Sequence, residues 1–527
     1  MKSFDYIIVG GGSAGCVLAN RLSAVPENKV LLLEAGPRDS HFLYHWPAGF
    51  AKMTKGIGSW GWSTVPQKHL NNRELWYTQA KVIGGGSTIN AQIYTRGNRL
   101  DFDTWAQMGC TGWDYDSLLP SFRRAEDNDS FDNDIHGKGG PLGVSRPRAA
   151  LPICDAFLRA AEQYGIPFCA DLAGPMPAGL GFYQLTQRDA KRSSTASAYL
   201  MPAKSRPNLT VMVDCMTTRI QTERGRAVGV DIVIGGQAQR ITAEREIIVT
   251  SGAIGTPKLL MLSGIGPADH LHRVGVDVVH DLPGVGSNLQ DHLDLCTISE
   301  CTGDHTYDKY GKPWWAALAG LQYLLTKSGP VASSLFETGG FWFVDPATEA
   351  PDMQFHLGQG SGIEAGIAKL SNSGVTLNSA YMRPRSRGTV RLKDSNALSM
   401  PLIDPNYWHD PHDREMSLKG LHMAREIMRQ PALSGFVMKE VLPGPAVTAE
   451  RDIADYACRM AKTDHHPAGS CQMGTGMHCV VSPDLKVRGL NGLRIADSSI
   501  MPTLVSSNTN ATAIMIGEKA ADLILAG

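Results

Sequence analysis

Tyr6-Ile7-Ile8-Val9-Gly10-Gly11-Gly12-Ser13-Ala14-Gly15 decides how the rest of this chain is read. Residues 4–9 read as a buried strand, and glycines at 10, 12 and 15 follow in G-x-G-x-x-G spacing. Gly10 permits the tight turn, Gly12 lets a pyrophosphate reach the backbone, and Gly15 lets a helix pack closely on the strand. Val17, Leu18 and Leu22 are apolar positions of that helix, and Pro26-Glu27-Asn28 turns the chain. A second strand, Val30–Leu33, ends at Glu34, where a carboxylate can accept both hydroxyls of a ribose. The first 36 residues therefore predict a βαβ unit that binds a dinucleotide at a helix N-terminus, where free N–H groups meet the phosphates. An acid at position 34 disfavours an NADP-type ligand, while NAD and FAD both stay open from this unit alone.

Composition narrows the alternatives. The 527 residues are 43% hydrophobic and 19% charged, so the chain can bury a large core and global disorder is excluded. Length alone predicts about three or four domains, or one large α/β enzyme domain with an elaborate cap. Lys and Arg total 50 against 51 for Asp and Glu, which leaves no basic surplus for a phosphate backbone and excludes general nucleic-acid binding. The ten cysteines form no CxxC pair and match no common zinc spacing. They read as buried free thiols in a reducing compartment, and no metal site is expected. No apolar run of about 18 residues occurs, and the strand at residues 4–9 leaves no room for a signal peptide. A cytoplasmic protein is expected, attached at most peripherally to the inner face of a membrane.

Beyond the first unit, residues 41–80 are aromatic-rich and irregular, with Trp46, Trp60, Trp62, Trp76 and Tyr77. A second glycine cluster follows at Val82-Ile83-Gly84-Gly85-Gly86-Ser87-Thr88-Ile89-Asn90. A mixed α/β stretch over 207–292 contains strand-like runs Leu209–Val213, Ala227–Ile234 and Glu246–Thr250, then a helix opening near Ser251-Gly252-Ala253. Between about 293 and 460, short alternating runs such as Thr389–Leu392 and helical pieces such as Met416–Met428 predict an antiparallel sheet with helices. The tail returns to α/β with strand Leu493–Ala496 and helix Ala511–Leu525.

Four ordered blocks of this sequence resemble the glucose–methanol–choline oxidoreductase family: the N-terminal unit, Ala80–Asn90, Gly252–Gly266, and His466–Asn510. The phrase Leu282-Pro283-Gly284-Val285-Gly286-Ser287-Asn288-Leu289-Gln290-Asp291-His292 is also typical of it. The resemblance spans essentially the whole chain. It implies an α/β fold with a discontinuous Rossmann-like FAD-binding domain (1–150, 203–292 and 462–527). The accompanying substrate domain (151–202 and 293–461) would be an antiparallel sheet plus helices. It selects FAD. Gly10, Gly12, Ser13, Ala14, Gly15, Glu34 and Ala35 would then hold the ADP half, with Thr217 at the adenine. Val82, Gly84, Gly85, Ser87, Asn90, Ala91 and Ile93 would line the flavin side. Ala253, Asp497, Ser498 and Asn508 complete the cofactor set, Asp497 and Ser498 toward the ribityl and pyrophosphate. Taken alone, Asp497 reads equally well as a cap or turn residue. Relatives that tether the flavin carry a histidine where this chain has Ile89, so FAD is expected to be non-covalent.

The chemistry needs a base for an alcohol proton and a second polar group for the same oxygen. Histidine suits the first role by its pKa, and asparagine suits the second because it donates or accepts without charge. The resemblance places these on His466, immediately before Pro467, and on Asn510, with His465 the neighbour most easily confused with the base. Cys471, with no partner thiol nearby in sequence, reads as packing. The expected reaction is oxidation of a primary alcohol to the aldehyde by hydride transfer to the flavin. Electrons then pass to a quinone, another carrier or oxygen. Segments such as Trp46–Phe50 and Arg383–Val390 look most like the branch of L-sorbose and polyethylene glycol dehydrogenases, which implies a sugar, polyol or glycol-type substrate, small or oligomeric. An oxygen-using oxidase, a choline dehydrogenase and a non-redox lyase are the alternatives. Glu337 would face an ammonium in the choline case, or would only pack.

Overall fold

The computed structural model describes residues 3–361 and 370–527. Its first seven-stranded sheet is built on the N-terminal unit. Strands Leu209–Met212, Val30–Leu33, Ser3–Val9 and Gln237–Val249 lie side by side in that order, all parallel. Leu493–Ile495 pairs parallel with the far end of Gln237–Val249. Ile7, Ile8, Leu31, Leu32, Ile247 and Ile248 have no exposed surface, as strands covered on both faces require. The register aligns Met212, Leu33, Val9, Val249 and Ile495 at one level, so the carboxyl ends of five parallel strands finish along one edge. In open α/β sheets that edge is where ligands sit.

Three helices meet that edge: α1 (Ser13–Ser23), α2 (Gly252–Leu262) and, at the chain's end, the helix Asn510–Leu525. Gly15 explains how closely α1 lies on the sheet, since a Cβ there would stand 1.9 Å from the carbonyl oxygen of Gly10. The last helix is clamped to α1 by Glu518. That buried carboxylate takes Arg21 at 2.7 Å, Arg124 at 2.8 Å and the Tyr199 hydroxyl at 2.8 Å.

The second seven-stranded sheet is antiparallel, in the order Val437–Leu442, Leu293–Cys301, Gly374–Tyr381, Met353–Gly358, Thr338–Trp342 and Gly179–Phe182. The two residues Lys462–Thr463 pair against Leu293–Asp294. Alternation along Met353–Gly358 separates two faces. Phe355 and Leu357 join a core with Met416, Ala424 and Ile427 of the helix Pro411–Met428. Gln354 and His356 point the other way, toward the first sheet's ligand edge.

Two expected strands differ. The run Glu246–Thr250 is the end of a thirteen-residue strand, Gln237–Val249, whose polar first half forms an antiparallel ribbon with Arg226–Ile234. Thr389–Arg391 is a strand, but it pairs only with Leu402–Asp404 and lies outside the large sheet. The centre of the large sheet is made instead of continuously buried strands, which alternation cannot reveal. Residues 41–80 contain 3₁₀ turns at Phe42–Tyr44, Pro47–Lys52 and Lys68–Leu70, with isolated bridges between them. All ten cysteines are free thiols, nine of them buried.

Candidate active site

A cavity of about 340 Å³ runs from the Gly10–Ala14 loop, past the ends of the parallel strands, to His466 and the polar face of the antiparallel sheet. Its walls test the expected cofactor. Helix α1 begins after Gly12 with no side-chain cap and no acid in its first turn, leaving its N–H groups and positive end to an anion. A Cβ at Gly12 would meet nothing closer than 3.7 Å, so the protein itself does not require glycine there; an approaching pyrophosphate does. Glu34 is buried at the strand end. Its carboxylate accepts the N–H of Gly11 at 2.8 Å and of Gly36 at 2.7 Å. Those bonds take one lone pair on each oxygen and leave others for ribose hydroxyls. Burial outweighs the two N–H bonds and raises its pKa to about 7. Farther along, the Thr217 hydroxyl is buried on the cavity wall with no protein partner. An adenosine diphosphate half fits this wall.

Glu34→Ala is expected to weaken FAD binding by about 1–3 kcal/mol, roughly 5- to 150-fold, because the buried ribose hydroxyls lose their acceptor. Titration of apoprotein with FAD checks this, and unchanged affinity would contradict the assignment.

The remaining expected cofactor residues divide. Gly10, Gly12, Ser13, Ala14, Glu34, Ala35, Gly85, Asn90, Ala91, Ile93, Thr217, Asp497, Ser498 and Asn508 line the cavity. Gly15, Val82, Gly84, Ser87 and Ala253 stand behind its wall. Gly15 packs on Gly10, and Val82 packs with Tyr44, Met53 and Ile89. The Ser87 hydroxyl donates to Gly84 O at 2.6 Å, and Ala253 O accepts the Ser470 hydroxyl at 2.5 Å. Asp497 is a joint within the protein. One oxygen accepts Gly252 N at 2.9 Å and the Thr256 hydroxyl at 2.6 Å, and the other accepts Ser499 N at 2.8 Å. It thereby ties the start of α2 to the last strand. Asn90 is held through its amide oxygen by the guanidinium of buried Arg192 at 2.6 Å, which leaves its NH₂ group to the cavity.

His466 lies at the other end. Its backbone N–H is fixed by Asp291 at 2.8 Å, and Asp291 in turn takes the hydroxyls of Tyr407 and Thr463, each at 2.5 Å. Its ring sits in a line of hydrogen bonds whose polarity can be read from the ends. Nε2 of His292 is 3.1 Å from Met382 O, which can only accept, so a neutral His292 carries its proton there. His292 Nδ1 is then an acceptor, 3.0 Å from Nδ1 of His466. The Asp464 carboxylate, 3.4 Å away, faces the same nitrogen. Both neighbours place the His466 proton on Nδ1 and leave the lone pair on Nε2. Asn508 Nδ2 is 3.1 Å from that Nε2. Gln354 Nε2 at 2.9 Å and Thr95 Oγ1 at 3.1 Å both donate to the amide oxygen, which orients its NH₂ group toward His466. Burial, with His292 and His356 nearby, holds His466 well below its ordinary pKa, and burial lowers His292 to about 3. The site therefore presents a neutral imidazole lone pair next to a fixed amide donor.

This geometry corrects one expectation. Asn510, expected beside His466, accepts the Ser13 hydroxyl at 2.8 Å and stands at the dinucleotide loop. Asn508, expected among the cofactor residues, is the asparagine whose amide meets the His466 ring. The two lie on either side of the turn that opens the last helix and point to opposite ends of the cavity wall. His292 escaped the sequence reading, although it was in plain view in Gln290-Asp291-His292. Cys471 is buried without a partner thiol and its pKa is raised by burial, which fits packing. Glu337 is fully buried, with its carboxyl raised to about 8, but it is not on the cavity wall.

An α/β dinucleotide fold with a buried imidazole–amide pair at the ligand edge suits an oxidoreductase with a dinucleotide cofactor, and comparison with known proteins makes the class specific. GMC oxidoreductase family models match residues 4–294 and 384–517. The chain belongs to this family: it is an FAD-dependent oxidoreductase acting on CH–OH groups. It is 40% identical to the alcohol dehydrogenase [acceptor] of Pseudomonas putida over 99% of this chain and 96% of that protein. It is also 40% identical to the oxygen-dependent choline dehydrogenase of Sinorhizobium fredii, over 99% and 95%. The crystal structure of pyridoxine 4-oxidase from Mesorbium loti superposes with a TM-score of 0.91 at 30% identity, covering 99% of each chain.

Proposed function

We propose that the chain oxidises a primary alcohol to the aldehyde, with His466 as general base and Asn508 as the donor that holds the alcohol oxygen. The observation that carries this reading is the proton order of the line Met382–His292–His466–Asn508, which leaves one lone pair on His466 Nε2 facing one amide N–H. An alcohol hydroxyl entering there displaces the Asn508 N–H from Nε2, donating to Nε2 itself and accepting from Asn508 Nδ2. His466 takes the hydroxyl proton, and Asn508 holds the oxygen as its negative charge grows. FAD, when bound, would supply the acceptor for the hydride that leaves the carbon. Tyr407 and Thr463, through Asp291, keep the base on its backbone perch. In this reading Asn510 and Ser13 order the pyrophosphate loop, and Glu34 and Thr217 hold the adenosine.

Around His466, Phe336 packs edge-on against His356 and also touches Phe50, which clusters with Ile93. His356 and Asn378, opposite each other on neighbouring strands, supply the polar groups. Such a wall suits a glycol ether or an aliphatic or aromatic alcohol better than a polyhydroxylated sugar, whose many hydroxyls would go unpaired. The relatives named choline dehydrogenase favour a second reading, but Glu337 offers no carboxylate to an ammonium in the cavity. We read residues 1–150, 203–292 and 462–527 as the FAD domain and 151–202 and 293–461 as the substrate domain.

Anaerobic bleaching of the flavin over a panel of glycols, aliphatic and aromatic alcohols, sugars and choline tests the substrate. Turnover with oxygen against an artificial acceptor then tests the electron route, for which a non-oxygen acceptor is expected. No bleaching by any alcohol would refute the proposal. With Ile89 at the tethering position, acid denaturation should release FAD to the supernatant, and flavin left on the denatured band would refute non-covalent binding.

A further inference from the structure

The helix Pro313–Thr326, Pro-Trp-Trp-Ala-Ala-Leu-Ala-Gly-Leu-Gln-Tyr-Leu-Leu-Thr, carries no charged residue, yet it lies on the surface. Only Ala319, Gly320 and Tyr323 are buried. They seat the helix on Trp46, whose ring meets Tyr323 at 5.3 Å, and through the Tyr323 hydroxyl on Ala190 O at 2.8 Å. Trp314, Trp315, Leu318, Leu321, Leu324 and Leu325 face outward, Trp314 72% and Leu325 76% exposed. Single exposed apolar residues need no explanation, but six on one helix do. A helix apolar around most of its circumference is ordinarily buried by something.

Charge at the two ends indicates what covers it. Lys312 is the N-cap and Lys327 the C-cap, and among the described residues neither pairs with a carboxylate. Lys309, one turn earlier, pairs with Asp304 at 2.8 Å and leans over Trp315. A second copy docked helix to helix would set lysine ends against lysine ends in either direction, which opposes self-pairing. An anionic lipid surface attracts both ends at once, and the indoles of Trp314 and Trp315 suit the headgroup level. Fourteen residues span roughly 21 Å, short of the ~30 Å hydrocarbon core, so the helix cannot cross. Among the described residues no helix is long and apolar enough to do so.

We propose that the helix Pro313–Thr326 is a docking surface for an anionic lipid bilayer, lying in the plane of the interface with its tryptophans and leucines among the lipids. The docked surface adjoins the substrate end of the cavity. Trp46, under the helix, opens the turn Pro47–Lys52, and Phe50 of that turn lines the wall. The bilayer would thus lie on the side of the molecule that carries this wall of the cavity.

Co-sedimentation of the holoenzyme with phosphatidylglycerol–phosphatidylcholine vesicles, and with phosphatidylcholine alone, tests this. Binding is expected with the anionic vesicles, accompanied by quenching of tryptophan fluorescence by brominated acyl chains. The triple variant Trp314→Ser, Leu321→Ser, Leu325→Ser should bind at least about tenfold more weakly, with flavin content and turnover in solution unchanged, because none of the three lines the cavity. Lys312→Glu with Lys327→Glu should remove the preference for anionic vesicles, each lysine being worth roughly fivefold. Vesicle binding that the triple variant retains would overturn the proposal. So would absence of binding, including the case in which sedimentation velocity shows a dimer that the triple variant dissolves.

Discussion

Replacing His466 by alanine is expected to slow anaerobic flavin reduction by alcohol about 10²–10⁴-fold while FAD stays bound, because the residue acts on the substrate hydroxyl and not on the cofactor. His465→Ala should lose far less. That residue also lines the cavity, but its φ of 63° turns the chain so that its neighbour, and not it, meets Asn508. Raising the pH should restore part of the rate in His466→Ala, since solvent then supplies the alkoxide. In the unsubstituted enzyme the dependence has the same sign but lies at much lower pH. His466 must be neutral to accept a proton, and its pKa is depressed by burial, so kcat/KM should hold through neutrality and fall only as pH drops well below 6.5. Stopped-flow reduction across pH reads both limbs. Near-normal reduction in His466→Ala would remove it from the mechanism, and an activity loss already complete at pH 7 would contradict the depressed pKa.

The second large effect separates two asparagines only two residues apart. Asn508→Ala removes the donor to the alcohol oxygen and should lower the reduction rate by about 10²–10³-fold, the usual effect of losing one such donor. FAD retention should be unaffected. Asn510→Ala removes the partner of Ser13 at the phosphate loop, so it should weaken FAD binding and leave the reduction rate of the loaded enzyme close to normal. Comparing flavin affinity with the single-turnover rate for each variant decides the assignment. The reverse pattern, with Asn510 governing the rate, would restore the role read from sequence.

That exchange shows where sequence reading runs out. The Rossmann unit was legible because turn, helix, strand and terminal acid are local and each has its own chemical requirement. The place of His466 on the cavity wall was legible because it sits in a motif. Ser506-Ser507-Asn508-Thr509-Asn510 offers two asparagines in one turn, and nothing in their spacing says which one looks toward the base. That is settled by Thr95 and Gln354, far away in sequence, whose donors fix the Asn508 amide. His292 was hidden for the same reason. Its importance lies in a contact across 174 positions and in the direction of a proton. The antiparallel sheet was expected in kind but not in its strands, because continuously buried strands show no alternation.

The hydrogen-bond line through His466 is anchored in two different parts of the chain. His292 and Met382 adjoin neighbouring strands of the antiparallel sheet, whereas Asn508 leads into the helix that packs on the dinucleotide unit. On the proposed reading the base is therefore a coincidence device. It has the right tautomer only while His292 holds its Nδ1 side, and its Nε2 meets a donor only while Thr95 and Gln354 hold the Asn508 amide. On that reading, a shift of either part removes the base's Nδ1 acceptor or its Nε2 donor, and the rate of flavin reduction would fall with it.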